Sequence, residues 1–92
     1  GITFSTLGLV VLSDGRLLEA LYYYGAADVL LQRGDNSGYE LENLLRFMRA
    51  LTLNGEVDFA RRLGERAALL ALDCGSKKKQ AEAAELISQL NQ

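Results

Sequence analysis

The sequence predicts an all-α fold of two stacked helix-turn-helix repeats closed by a C-terminal capping helix. Three observations carry that expectation. Apolar residues recur at i, i+3, i+4 and i+7 through most of the chain, the spacing of one helix face. There is no proline, so nothing forces a kink inside a segment. The hairpin pattern of residues 1–34 largely returns 40 residues later, as in architectures of stacked repeats that bury a shared core.

Segment one runs from about Ile2 to Ser13. Phe4, Leu7, Gly8 and Val11 share one face, and Asp14-Gly15 breaks the chain. A β-hairpin is the competing reading, because a DG pair between apolar residues is a strong hairpin signal. Gly8 also weakens a helix by about 1 kcal/mol relative to alanine. Asn54-Gly55 holds the matching place between two clearly helical segments. That parallel favours helix, as does a position for Gly8 where two helices approach closely.

Segment two runs from about Arg16 to Gln32, with Leu17, Ala20, Leu21, Tyr24, Ala27 and Leu31 on one face. Arg33 to Gly38 is dense in turn residues and reads as a loop. Segment three runs from about Tyr39 to Leu53 on a stripe of Leu41, Leu44, Leu45, Met48, Leu51 and Thr52. Segment four runs from about Glu56 to Asp73. Gly75 then stops the helix and Ser76 caps the next one. Segment five runs from about Lys77 to Leu90. It carries Ala83, Leu86, Ile87 and Leu90 opposite Glu82, Glu85 and Gln89, the polar outer face of a solvating cap.

Phe4, Leu7, Gly8, Val11, Gly15, Ala20, Tyr24 and Ala27 together resemble one tetratricopeptide repeat. Leu44, Phe47, Met48, Leu51, Gly55, Ala60, Gly64 and Ala67 are a looser second match. In that family small residues sit where the paired helices cross and rings fill the space around them. Here Met48 stands for the small residue of the first helix and Gly64 for the ring of the second, a pair that reads as a compensating exchange of volume. Gln32 and Leu72 replace the family's closing proline. The offset is 40 rather than about 34, an insertion around Asp35 to Glu40. The resemblance divides one domain, residues 1–92, into a repeat at 1–34, a repeat at 41–74 and a capping helix at 77–91.

The resemblance implies a concave groove, lined by the first helix of each pair, that holds a partner helix or an extended segment. Its implied lining is Ser5, Leu9, Leu12 and Ser13 from segment one and Leu45, Arg49 and Thr52 from segment three. The paired Lys and Asn of the family's carboxylate-clamp branch are replaced by Ser5, Leu9, Leu45 and Arg49, so that clamp is missing. An apolar groove with one arginine suggests an apolar segment as ligand, with an acid near Arg49. The bland reading of Leu9, Leu12 and Leu45 is core, and the sequence leaves the two readings level.

Composition removes several classes. Net charge is −2, without the basic footprint of a dedicated nucleic-acid binder. There is no histidine and one cysteine, Cys74. That excludes an intramolecular disulfide, a Cys/His zinc site and a Ser–His or Cys–His pair. The single thiol suits a reducing compartment. Ile2 to Leu12 is too short to span a bilayer and has no basic flank. The chain begins with Gly1 rather than Met, which reads as a domain excised from a longer protein or as an end left by cleavage of an expressed form.

Other features have plain readings. Arg33-Gly34-Asp35 spells an adhesion tripeptide but reads as a turn. Tyr24 is expected in the core and Tyr22 on the solvent side. Lys77-Lys78-Lys79 reads as a solvated patch, placed where the helix dipole disfavours cations. Glu56 with Asp58, and Asp14 with Glu19, read as capping and solubility rather than catalysis.

The expectation is a non-catalytic, cytoplasmic protein-interaction module without a cofactor. The resemblance implies a secretion-type chaperone or adaptor that shields an apolar segment. The alternative is a structural or self-assembly role, as a homo-oligomer or as the C-terminal end of a longer solenoid. The almost wholly apolar face of segment one must then meet something: upstream repeats, a second copy or a partner chain.

Overall fold

Five helices follow one another in the computed structural model, which describes residues 3–34 and 37–90. They are α1 (Phe4–Ser13), α2 (Leu17–Gln32), α3 (Ser37–Leu53), α4 (Val57–Cys74) and α5 (Lys77–Leu90). No strand occurs among the described residues, so segment one is helix and the β-hairpin alternative falls away. Ile2, Asp35, Asn36 and Asn91, which figured in the expected boundaries, lie outside the described residues.

The two interhelix turns explain why a DG or NG pair here stops a helix instead of turning a strand. Gly15 (φ 81°) and Gly55 (φ 79°) both take the left-handed conformation. Gly15 donates to the Leu12 carbonyl at 2.9 Å and Arg16 to Val11 at 2.9 Å. Forty residues on, Gly55 donates to Thr52 at 3.1 Å and Glu56 to Leu51 at 2.9 Å. This is the Schellman arrangement, in which a left-handed glycine lets the next amides satisfy the last helical carbonyls. The hydrogen bonds of the first turn therefore recur 40 residues on in the second.

Two helix starts are capped by side chains. Thr6 N–H donates to Thr3 Oγ1 at 3.1 Å, and Lys79 N–H to Ser76 Oγ at 3.3 Å. The acids expected to cap do not. Glu56 occupies the cap position of α4 without a side-chain cap bond, and its carboxylate instead accepts from Asn54 Nδ2 at 3.0 Å. Asp58 pairs with Arg61 at 3.4 Å. Asp14 and Glu19 both turn to Arg16, at 3.9 and 3.1 Å. Asp14, Glu19 and Asp58 each have a nearby guanidinium, and a charge-assisted bond to it outcompetes the backbone amide.

Each hairpin packs around small residues. Ala20, Ala27, Ala60 and Ala67 are buried where the paired helices meet. The crossings are filled from opposite sides. In the first hairpin the Tyr24 ring from α2 occupies the space beside Gly8 of α1. In the second, Met48 from α3 reaches over Gly64 of α4, joined by Ile87 of α5. Phe4, one of the rings expected to fill the space around the crossing, is 39 % exposed and stacks on Tyr23 at 6.2 Å.

Neighbouring hairpins are joined by α3, which packs on α2, and by α5, which packs on α4. Asn43 is fully buried at the first junction and donates from Nδ2 to the Tyr24 carbonyl at 3.1 Å. α1 touches α3 and α3 touches α5, whereas α2 and α4 do not pack on each other. Asp28 of α2 and Arg66 of α4 form an ion pair, Arg66 Nη2 donating to Oδ1 at 3.2 Å and Nη1 to Oδ2 at 3.4 Å. The layer of helices therefore curves, with α1, α3 and α5 on its inner side.

Candidate partner-binding groove

The inner side is where the expected groove residues were placed, and they divide into three groups. Leu9 (43 % exposed) and the half-exposed Arg49 face solvent. Thr52 is also exposed, with its hydroxyl donating to the Met48 carbonyl at 2.8 Å. Leu12 is half-buried against the core. Ser5 is buried and accepts from Arg46 Nη1 at 3.1 Å, while Arg46 also pairs with Glu42 at 2.9 Å. Ser5 is thus a tie between α1 and α3 rather than an open contact. Ser13 is exposed, and its hydroxyl donates to the Leu9 carbonyl at 3.2 Å.

For Leu45 the core reading is the one the structure bears out, because only 1 % of it is exposed. The reason is the position of α3. It is the middle helix, flanked by α1 and α5 as well as by α2 and α4, so its buried arc is wider than that of a helix at the edge. A groove residue on α3 must therefore lie further round the helix, as Arg49 and Thr52 do.

The inner surface also has a contributor that sequence reasoning assigned only to solvation. α5 faces α3 across a cleft of about 380 Å³ lined by Arg49, Thr52 and Leu53 of α3 and by Glu82, Glu85, Leu86 and Gln89 of α5. Glu82 bonds Arg49 from across the cleft and Lys79 from its own helix. The spacing of Glu82, Leu86 and Gln89 puts all three on one helix face. That signal was available in the sequence, yet a face with two polar members reads as solvent-facing until α3 is placed opposite it.

A second, larger cleft of about 690 Å³ opens at the other end, between the start of α1, the end of α2 and the start of α3. Phe4, Leu30, Leu31 and Tyr39 line it with the Arg46–Glu42 pair. Beneath the α1–α3 junction lies the fully buried Tyr24, whose hydroxyl has no hydrogen-bond partner. Burial pushes its phenol above the ordinary value, and the positive charges of Arg46 and Arg49 act in the opposite direction.

Comparison with protein-family models, with curated proteins and with solved structures finds no match for this chain. Among the described residues no helix is long and apolar enough to cross a membrane.

Proposed function

We propose that this chain is a non-catalytic protein-interaction module of tetratricopeptide-like design. Its inner surface of α1, α3 and α5 receives an apolar helix or extended segment of a protein partner. The observation that carries this reading is the cleft between α3 and α5, where Leu53 and Leu86 flank Arg49, with the exposed Leu9 on α1 of the same curved side. Apolar side chains give such a segment its affinity, and a charged neighbour fixes its register.

Arg49 is already held by Glu82, so an acid on the partner must compete with that carboxylate. An apolar segment is the better match to this surface than an acidic one. A cytoplasmic chaperone or adaptor that shields such a segment is the specific version of this proposal.

Fluorescence polarisation tests it with labelled synthetic peptides. One set carries apolar residues at i, i+3 and i+7, and the other is a polar scramble of the same length. Preferential binding of the apolar set, weakened by Leu9→Glu and Leu53→Glu with the helical circular dichroism unchanged, supports the proposal. Equal binding of both sets, or indifference to both substitutions, sinks it.

A further inference from the structure

The charges of the α3–α5 cleft are unequally committed. Glu82 bonds Arg49 across the cleft and lies 3.8 Å from Lys79 on its own helix. Both cations therefore lean on one carboxylate. Glu85 follows one turn later, lines the same cleft beside Leu86 and is exposed. Among the described residues it forms no ion pair. Its helix neighbours offer none, because Ala81, Glu82, Ser88 and Gln89 hold the places three and four residues away.

The end of α3 adds to that sign. The cleft takes in Thr52 and Leu53, the last residues of α3, where the helix dipole is negative. No basic side chain sits in that last turn. The end of α5 differs, since Arg61 of α4 donates to the Leu90 carbonyl at 3.0 Å. The apolar walls here are Leu53, 69 % exposed, and the half-buried Leu86. An occupant resting on both meets a negative field and a carboxylate without a partner.

We propose that the segment received by this cleft carries a lysine or arginine beside its apolar residues, and that Glu85 pairs with it. The proposal rests on the groove reading above and names the chemistry of the partner. Apolar contact with Leu53 and Leu86 holds the segment, and the cation fixes which of its residues meet them. An acid at the same place on the segment faces Glu85 and the negative end of α3. To reach Arg49 it must also displace Glu82. The arginine that suggested an acid in the ligand is thus already taken, and the open charge has the opposite sign.

Three labelled peptides test it by fluorescence polarisation with the whole chain. They share one amphipathic apolar pattern and differ at a single position beside the apolar stripe, as Lys, Gln or Glu. The Lys peptide is expected to bind about two- to fivefold more tightly than the Gln peptide, the worth of an exposed ion pair. The Glu peptide should be weakest, and the Lys advantage should shrink as salt rises. Glu85→Gln is expected to abolish that advantage. Glu65→Gln, an equal change of net charge on α4 outside the cleft, is expected to keep it. Helical circular dichroism checks that each variant folds. Equal affinity for the Lys and Gln peptides, or a Lys advantage that survives Glu85→Gln, overturns this proposal and leaves the groove in place. Loss of the advantage in Glu65→Gln overturns Glu85 as its source. Preference for the Glu peptide overturns the proposal and returns the ligand's acid to Arg49. Binding of none of the three overturns the groove reading itself, and this proposal with it.

Discussion

The Tyr24 ring stands where a side chain on Gly8 would have to be: a Cβ there would lie 2.7 Å from Tyr24 Cε1 and 2.9 Å from Cδ1. Tyr24 is wholly buried and also touches Phe47, so the ring has little room to retreat. In Gly8→Ala the helix gains up to about 1 kcal/mol of propensity, but the clash costs about 1–3 kcal/mol. The expected outcome is net destabilisation in urea unfolding. The same substitution in a Tyr24→Ala background should lose this penalty, giving a coupling energy between the two sites.

Gly64 gives the opposite case. A Cβ there would meet Met48 Cε and Ile87 Cγ1, each at 3.0 Å. Met48 is unbranched and its terminal methyl can swing aside. Gly64→Ala should therefore stay within about 1 kcal/mol of the parent, with the propensity gain offsetting the adjustment. A loss as large as that of Gly8→Ala would contradict this account of the second crossing.

The unpartnered Tyr24 hydroxyl predicts a gain from its removal. Tyr24→Phe keeps the ring and deletes a buried polar group without a bond, so stability should rise by about 1 kcal/mol near neutral pH. Because burial raises the phenol above its ordinary value, the folded protein holds this proton more tightly than the unfolded chain does. That contribution is complete below about pH 10 and is lost as pH climbs through the higher folded value. Unfolding from pH 7 to pH 11 should show a steeper alkaline loss in the parent than in Tyr24→Phe.

Arg49 separates stability from recognition. Its ion pair with Glu82 is half exposed, so Arg49→Ala should change stability by no more than about 0.5 kcal/mol. The same variant should alter peptide binding at the α3–α5 cleft. A large drop in thermal stability without any effect on binding would make Arg49 a structural tie alone.

Much of the helical framework was legible because it rests on spacing and on turn chemistry. The stripe of Leu41, Leu44, Leu45, Met48 and Leu51 marked α3, and Gly75-Ser76 marked the last break. Segment one was harder, since Asp14-Gly15 suits a hairpin as well as a helix stop, and the parallel with Asn54-Gly55 and the place of Gly8 favoured helix. The groove was less legible. The sequence left Leu9, Leu12 and Leu45 level between groove and core, and the structure separates them, with Leu9 exposed and Leu12 half-buried on the edge helix α1. Leu45 is buried because α3 has neighbours on both flanks. Asn43 gave no signal, as its role is a single bond to a carbonyl on a different helix. Phe4 was misplaced because its ring stacks on Tyr23 at the surface rather than filling the space around the crossing.

The opposed filling of the two crossings has a consequence for heredity. The two halves of the chain share their turn geometry, yet their helices are not interchangeable piece by piece. A hybrid hairpin joining α1 to α4 would set Gly8 against Gly64 and leave a hole. One joining α3 to α2 would set Met48 against Tyr24 and overfill the same place. Each helix can therefore change register of bulk only together with its own mate, so the two copies must drift as pairs and not as single helices.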